Sequence, residues 1–398
     1  MDLSYGPKYE AFREEVRAFL RTHGHKSPKT TKLKAPELLD WQALLIENGY
    51  AARTIPKEYG GYGAEPDILK SRIIAEEFAA AQVSSGMGGQ GISMLVPTLL
   101  EMGTEAQKRE FIPPTIRGEM VWCQGYSEPG AGSDLASLRT AGKLDGDHWV
   151  VNGQKIWTST AHLADWIFCL VRTEPDAPKH KGISFLLFRM DTPGIEIRPL
   201  VDMTMNRNFN EVFFTDVRVP KDQMVGARGQ GWQVANSILG FERDSLGDPN
   251  ATLGRLNRLL ALMQEETVDG ARVIDNGALR DRAMRIQGRV MAMRFNELRV
   301  LSAKVNGRND AQLARLIGKL QGTELRHALE QLGIDAMGEV GTSYADNPYL
   351  RDGGSWQYHF MFFLGLIIGG GTSQIQKNII SERGLGMPRE PKLAKEQK

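Results

Sequence analysis

The spacing of hydrophobic residues changes twice along this chain, and this pattern constrains the fold more than any other feature. Up to about residue 120 they recur every three or four positions, the period of an amphipathic helix. From about 121 to 228 the period approaches two, with glycine, proline and aspartate between the candidate strands. The helical period then returns. The sequence therefore predicts an α+β fold in three parts: residues 1–120 helical, 121–228 an antiparallel β domain, and 229–398 helical.

Individual elements follow from the same periods. An apolar stripe from Tyr9 to Leu20 and another from Leu38 to Leu45 predict two N-terminal helices. The candidate strands are residues 148–151, 156–158, 166–171, 183–188, 195–199 and 211–214. The candidate C-terminal helices are residues 232–239, 251–265, 278–306 and 311–332.

The segment W-C-Q-G-Y-S-E-P-G-A-G-S-D, residues 122–134, carries the strongest chemical signal. Four small residues stand between the Ser127-Glu128 pair and Asp134. Small residues let backbone N–H groups approach a flat or anionic ligand closely, and glycine adopts backbone angles that other residues resist. We therefore expect an open loop that lies against a ligand.

About twenty residues later, Asn152-Gly153 predicts a two-residue hairpin turn. Such a hairpin would carry Trp157 and Ser159 on a strand beside the small-residue loop. An aromatic wall, hydroxyl donors and open backbone together predict a pocket for a planar cofactor. Core packing is the alternative role for the tryptophan.

These two segments resemble the acyl-CoA dehydrogenase family. Five more segments match that family in order and spacing: residues 103–109, 113–119, 211–220, 225–232 and 370–380. The resemblance covers almost the whole chain. It implies the three-part fold of that family, with a C-terminal four-helix bundle. It also implies FAD as cofactor, an acyl-CoA substrate and an electron-transfer flavoprotein as electron acceptor.

The resemblance also assigns cofactor contacts. It implies that the flavin is bound by Tyr126, Ser127, Gly132, Ser133, Trp157, Ser159, Thr372 and Gln374. Gly132 and Ser133 would lie where the cofactor meets the thioester, so Ser133 is also expected to contact the substrate. Ser159 would form a hydrogen bond near the flavin N5.

The catalytic base is the most informative departure from the family pattern. Dehydrogenation needs a carboxylate that removes a proton from the α-carbon while a hydride leaves the β-carbon. The commonest family pattern supplies this base from an E-G-T motif, but the matching position here is Gly370. Isovaleryl-CoA dehydrogenase and some long-chain relatives carry the base on a helix after the β domain instead. Glu242-Arg243 match that place, which implies Glu242 as base and Arg243 as a substrate contact. A solvated helix carboxylate is the alternative role for Glu242, and Asp244 is the nearest rival base.

The adenine-diphosphate end of the cofactor site matches the family less well. Arg272 corresponds to the family's phosphate-binding arginine, but the residues after it depart from the usual pattern. Residues 335–341 correspond loosely to a Gly-rich stretch and include Glu339, whose charge would repel a pyrophosphate. Either the loop turns Glu339 away, or this chain does not complete the flavin site of a neighbouring subunit.

Composition excludes several classes of function. The formal net charge of +1 gives no reason to expect nucleic acid or an anionic membrane as partner. The seven histidines are scattered, and none has metal-ligand spacing, so we expect no metal. The N-terminus lacks the regions of a signal peptide and the longest apolar run, 361–368, is too short for a bilayer, so we expect a cytoplasmic protein. Cys123 and Cys169 are expected to be small buried apolar residues.

Several alternatives stay open. The C-terminal E-R-G-L-G-M-P-R segment, residues 382–389, resembles bacterial relatives that act on branched, cyclic or steroid side-chain thioesters. Some of those are α2β2 assemblies, so the chain is expected to form a homo-tetramer or such a heteromer with a related subunit. A non-catalytic structural subunit and an acyl-CoA oxidase are the two alternative functions.

Overall fold

Five helices form the N-terminal part of the computed structural model, which describes residues 5–308, 310–345 and 347–389, excluding the side chains of residues 243–245. They are α1 (Pro7–His23), α2 (Pro36–Glu47), α3 (Ile68–Ala80), α4 (Val96–Met102) and α5 (Glu105–Ile116). Helix α1 buries Phe12, Val16, Phe19 and Leu20, which confirms the predicted stripe. Helix α5 begins with a capping box between Thr104 and Gln107.

Eight strands follow and form one sheet. They are β1 (Trp122–Gly125), β2 (Ala141–Asp145), β3 (His148–Ser159), β4 (Trp166–Arg172), β5 (Ile183–Arg189), β6 (Ile195–Leu200), β7 (Phe209–Pro220) and β8 (Met224–Val225). The order is β6-β7-β3-β2-β4-β5-β8, and β1 pairs with β4. The main pairs are antiparallel, but β1 runs parallel to β4, with Trp122 opposite Trp166. All six predicted strands lie within these elements, whereas β1, β2 and β8 were not predicted.

Aromatic packing joins α5 to the sheet. The Phe111 ring lies edge-on to Trp122 and Trp166, with centroids 5.5 and 4.9 Å apart. Such edge-to-face pairs add stability beyond the burial of their area. Cys123 and Cys169 are free thiols, fully buried in β1 and β4, which confirms their expected role as small apolar residues.

The predicted hairpin at Asn152-Gly153 is wrong. Strand β3 continues through both residues, with Asn152 opposite Ala141 and Gly153 opposite Phe214 across a register shift. Gly153 has φ +149°, and a Cβ there would lie 2.6 Å from Thr140 Oγ1 and 2.7 Å from Thr140 Cα. The Asn-Gly pair therefore forms a β-bulge where two backbones approach closely. Glycine is common at such bulges as well as in hairpin turns. The turn before β3 lies instead at Gly146, with φ +59°.

Where the structure describes it, the C-terminal part is helical apart from a short β9 (Thr267–Val268) and β10 (Ala271–Arg272) pair. Its helices are α6 (Gly231–Leu246), α7 (Pro249–Glu265), α8 (Gly277–Val305), α9 (Gln312–Leu316), α10 (Gly318–Ala336), α11 (Ser355–Ile368) and α12 (Ser373–Ile379). The run predicted at 311–332 is divided at Ile317 into α9 and α10. No helix of the described residues is both long and apolar enough to cross a bilayer.

A buried charge network sits inside these helices. The Arg255 and Arg326 guanidinium groups both donate to the carboxylate of Glu330, which is fully buried, at 2.7 Å. The Arg255 guanidinium also lies 3.5 Å above the Trp356 ring. Because both arginines contact it, the buried carboxylate is compensated in charge and in hydrogen bonds.

The chain divides into two compact units. One comprises the chain up to Asp202 together with Arg207–Leu239, and the other comprises Met203–Asn206 and the chain from Gly240 onward. The helices α1–α5 and the sheet therefore share a unit. The domain boundaries at residues 120 and 228 stay predictions.

Replacing Gly153 with alanine tests the role of the bulge. The added Cβ would overlap Thr140, so we expect the variant to lose about 1–3 kcal/mol of stability, as overpacked sites do. Thermal unfolding would measure the loss as a lower Tm. Gly254→Ala in α7 is the control, because a Cβ there meets nothing within 4 Å. Equal Tm values for the two variants would contradict the bulge assignment.

Candidate active site

The small-residue loop is tightly closed at its base. Glu128 and Ala131 exchange two backbone hydrogen bonds, of 3.1 and 3.0 Å. Gly130, between these two residues, and Gly132, directly after Ala131, are exposed, and a Cβ at either would meet nothing within 4 Å. Ser133 is exposed as well. The outer face of the loop is therefore open backbone, as expected from the sequence.

A buried ion pair holds this loop from inside. Lys155 Nζ donates to Glu128 Oε1 at 2.8 Å and to the Tyr126 carbonyl at 3.1 Å. The backbone N–H groups of Arg139 and Thr140 donate to the same carboxylate at 2.6 and 2.8 Å. Lys155 is fully buried and Glu128 is 9% exposed. The Glu128 carboxylate therefore points into the protein and fixes the shape of the loop.

Two opposing effects set the pKa of Glu128. Burial favours the neutral acid, but the charge of Lys155 and the hydrogen bonds to the carboxylate outweigh it, so the pKa of Glu128 lies below its usual value. The carboxylate is therefore ionised at neutral pH. Lys155 is not among the residues predicted from the sequence, although a lysine at an inward position of β3 is a detectable signal.

Trp157 and Ser159 lie on β3 beside the loop, because Ile156 N donates to the Ser127 carbonyl at 2.9 Å. Trp157 has φ +60° at an irregular position of the strand, and its side chain is 59% exposed. Phe209 meets it edge-on at 6.1 Å. A bulky residue with a positive φ is strained, and such strain concentrates at functional sites. The indole is thus held out of the core, which argues against simple core packing.

These residues fit a flat cofactor. Tyr126 is buried at the base of the loop, Ser127 and Ser159 are partly buried, and Trp157 exposes its ring. Open backbone at Gly132 leaves room that a side chain would fill. These groups lie within one unit, and the pocket that they would form for an aromatic ring system stays a prediction.

Glu242 and Gly370 lie together in the other unit. A Cβ placed on Gly370 would lie 3.5 Å from Glu242 Oε1 and 2.8 Å from Leu246 Cδ1. Gly370 has φ +64°, and Glu242 on α6 is partly buried. The carboxylate therefore contacts the position that carries the base in the commonest family pattern. The side chain of Arg243 lies outside the described residues.

The glycine loop at residues 369–372 is anchored by two side chains that sequence analysis missed. Lys319 Nζ donates to the Gly371 carbonyl at 2.7 Å, and Gln376 Nε2 donates to the Gly370 carbonyl at 3.0 Å. Thr372 Oγ1 accepts from Ile375 N and caps α12. No sequence pattern identifies the lysine, because its partners are backbone atoms far along the chain.

The remaining predicted cofactor residues are exposed. Gln374 lies on the surface of α12. Arg272 donates to both oxygens of Asp275, at 2.9 and 3.1 Å, and these hydrogen bonds raise the pKa of Arg272. Glu339 is exposed, and the neighbouring Asp335 pairs with Arg282 at 2.6 Å. A phosphate at Arg272 would have to compete with Asp275.

Replacing Lys155 with methionine tests the buried ion pair. The variant leaves the buried Glu128 carboxylate uncompensated, which typically costs about 3–5 kcal/mol. Chemical denaturation would measure this loss. Lys143→Met on β2 is the control, because that lysine is exposed and such changes alter stability by roughly 0.5 kcal/mol or less. A loss as small as the control's would show that the pair does not hold the loop.

Comparison with known proteins identifies the family. Models of the acyl-CoA dehydrogenase N-terminal, middle and C-terminal domains match residues 6–119, 123–217 and 229–385. The acyl-CoA dehydrogenase IpdE1 of Mycobacterium tuberculosis is 37% identical over 399 residues, covering 96% of this chain and 99% of that protein.

Solved structures agree with this result. The Tcur3481-Tcur3483 steroid ACAD has a TM-score of 0.81 and 28% identity, covering 98% of this chain and 100% of that one. The ChsE4-ChsE5 complex from Mycobacterium tuberculosis has a TM-score of 0.81 and 31% identity, with the same coverage. The chain therefore belongs to the acyl-CoA dehydrogenase family, whose members are flavoprotein oxidoreductases of lipid oxidation.

Proposed function

We propose that this chain catalyses the FAD-dependent α,β-dehydrogenation of an acyl-CoA thioester to the trans-2-enoyl-CoA, with Glu242 as the base. One observation carries the proposal: Glu242 Oε1 lies 3.5 Å from where a Cβ on Gly370 would begin. A side chain from the loop would start at that point. The helix-borne carboxylate thus lies beside the point from which a loop-borne base would extend, which supports its assignment as the base.

The chemistry requires a base close to the acidic carbon. The Glu242 carboxylate takes up the α-proton, and the electron pair of that C–H bond forms the new double bond. FAD, when bound, accepts the hydride that leaves the β-carbon. A positioned general base typically contributes about 10²- to 10⁴-fold to the rate of such a step. Gly370 itself has no group that can accept a proton.

The cofactor contacts are proposed in two groups. The sheet side supplies Tyr126, Ser127, Gly132, Ser133, Trp157 and Ser159, and the helical part supplies Thr372, Gln374 and Arg272. The open loop and the exposed indole support the first group. Arg272 would exchange Asp275 for a phosphate oxygen, which is a feasible exchange because both residues are on the surface.

The substrate is proposed to be a branched, cyclic or otherwise bulky acyl-CoA, contacted by Ser133 and Arg243. Three consecutive glycines, residues 369–371, leave the loop without side chains next to the base. A solved relative of similar fold is described as a steroid ACAD, which supports a large acyl group.

The assembly is proposed to be an α2β2 heteromer with a related subunit, with a homo-tetramer as the alternative. A solved relative is a complex of two different chains, ChsE4 and ChsE5, which supports the heteromer. Electrons would pass to an electron-transfer flavoprotein in the cytoplasm.

A non-catalytic structural subunit is the second candidate function. The pairing of Arg272 with Asp275 favours it, because that pairing occupies the expected phosphate contact. Flavin content decides between the two functions. In the purified assembly, flavin that acyl-CoA bleaches in a Glu242-dependent way identifies this chain as an enzyme, whereas a colourless assembly, or bleaching that Glu242→Gln leaves unchanged, identifies it as a scaffold. Peroxide release during turnover in air would instead indicate an oxidase.

Replacing Glu242 with glutamine tests the proposed base. The amide keeps the size of the side chain but cannot take a proton, so anaerobic flavin reduction by acyl-CoA should slow by about 10²- to 10⁴-fold. Stopped-flow absorbance with a panel of straight-chain, branched and steroid side-chain acyl-CoAs measures this rate.

The matched control is Asp244→Asn, two residues further along α6, which should retain the rate of the unmodified protein. Equal rates for Glu242→Gln and the unmodified protein would remove Glu242 from its role. A large loss in Asp244→Asn alone would transfer the role of base to that residue.

A further inference from the structure

Lys319 is a buried lysine near the start of α10. It is 3% exposed, and its Nζ donates to the carbonyl oxygens of Ile367 at 3.0 Å and Gly371 at 2.7 Å. Burial of an ammonium group is costly unless its N–H groups find acceptors. Here two carbonyl oxygens accept from it, so the ammonium ties α10 to two points of the backbone.

Ile367 directly precedes the end of α11 and Gly371 lies within the glycine loop, so the two points lie on either side of Gly370. Ile367 lies in the last turn of α11, where carbonyl groups lack partners within the helix and the helix dipole favours a cation. Gly371 follows Gly370 directly. The ammonium therefore binds the backbone on both sides of Gly370, the residue next to Glu242.

A second side chain holds the loop from α12. Gln376 is 1% exposed, and its amide donates to the Gly370 carbonyl. A Cβ on Gly371 would lie 2.7 Å from Gln376 Nε2, so only glycine fits there without displacing the amide. The positive φ values of Gly370 and Gly371, +64° and +99°, are thus fixed by contacts on two sides.

The first residues of α10 also contact the end of α6, the helix that carries Glu242. A Cβ on Gly247, directly after α6, would lie 2.9 Å from the Gly318 carbonyl carbon and 3.2 Å from Lys319 N. Backbones this close require glycine at the crossing. Lys319 therefore contacts the end of α6 through its backbone and the glycine loop through its side chain.

We propose that Lys319 is a positioning residue that sets the distance between the glycine loop and the Glu242 carboxylate. The inference rests on the proposed function, because it gives a catalytic purpose to that distance. Loss of the ammonium would let the loop move against the base, and a displacement of about 1 Å can cost up to 10²-fold in rate. A simple helix cap would affect stability without this effect on the chemical step.

The test compares Lys319→Met and Lys319→Arg with Thr323→Val. Thr323 is buried one turn along α10 and donates only to the Lys319 carbonyl among the described residues, so its loss perturbs the helix but not the loop. The first readout is hydrogen–deuterium exchange of the full-length protein, as purified, over residues 369–376. The second is the limiting rate of anaerobic flavin reduction, with the acyl-CoA from the panel that reduces the unmodified protein fastest.

We expect Lys319→Met to exchange faster at residues 369–376 and to lose about 10- to 100-fold in limiting rate, with little change in half-saturating acyl-CoA concentration. Lys319→Arg should recover part of the rate, and Thr323→Val should match the unmodified protein in both readouts. If Lys319→Met does not fold, Gln376→Met removes the second anchor and should raise exchange in the same segment.

Unchanged exchange, or an unchanged limiting rate in Lys319→Met, would overturn the inference. The same holds if Thr323→Val loses as much rate as Lys319→Met, since the effect would then be structural. If none of the acyl-CoAs in the panel bleaches the flavin of the unmodified protein, the proposed function fails and the catalytic role of Lys319 fails with it. Exchange in the absence of substrate would still decide whether Lys319 anchors the loop.

Discussion

The contact between a side-chain-free glycine and a carboxylate is the constraint on which the functional interpretation depends. Gly370 takes a left-handed conformation, and a Cβ on it would lie 3.5 Å from Glu242 Oε1, at van der Waals distance. Helix mounting would give the proposed base Glu242 a rigid support, since the end of α6 is packed backbone to backbone against α10 at Gly247 and Gly318. Stiff elements hold reacting groups more accurately than loops do.

Buried charges hold a glycine-rich loop in each of the two units. The Glu128–Lys155 pair fixes the small-residue loop, and Lys319 fixes the glycine loop. The Glu128 carboxylate accepts hydrogen bonds from backbone N–H groups, and the Lys319 ammonium donates to backbone carbonyl oxygens. These bonds compensate each charged group for its removal from water. Loops rich in glycine lose much conformational entropy on folding, so such anchors are needed to keep one conformation. Gly130 and Gly132 of the small-residue loop are exposed, whereas Gly370 and Gly371 are partly buried.

The order of helices and strands could be predicted from the spacing of hydrophobic residues. The apolar stripe predicted for α1 and the strands predicted at 166–171 and 183–188, which lie in β4 and β5, are confirmed. The predicted hairpin at Asn152-Gly153 failed because the same dipeptide suits a bulge, and the choice depends on Thr140 in the neighbouring chain segment. Strand β2 was missed because its residues are mostly exposed, so it lacks an apolar alternation. A local sequence pattern does not reveal which residue from a distant part of the chain will pack against it after folding.

The sequence by itself determined the family, the succession of helical and β segments, and the absence of a proton acceptor at Gly370. It also led to the prediction that Glu242 replaces the missing base. Only the tertiary structure decided that this carboxylate contacts Gly370, that Trp157 has a positive φ, and that Lys319 binds the loop. The reason is physical: side-chain period reports which face of an element is buried, whereas these contacts join backbone and side-chain atoms far apart in sequence.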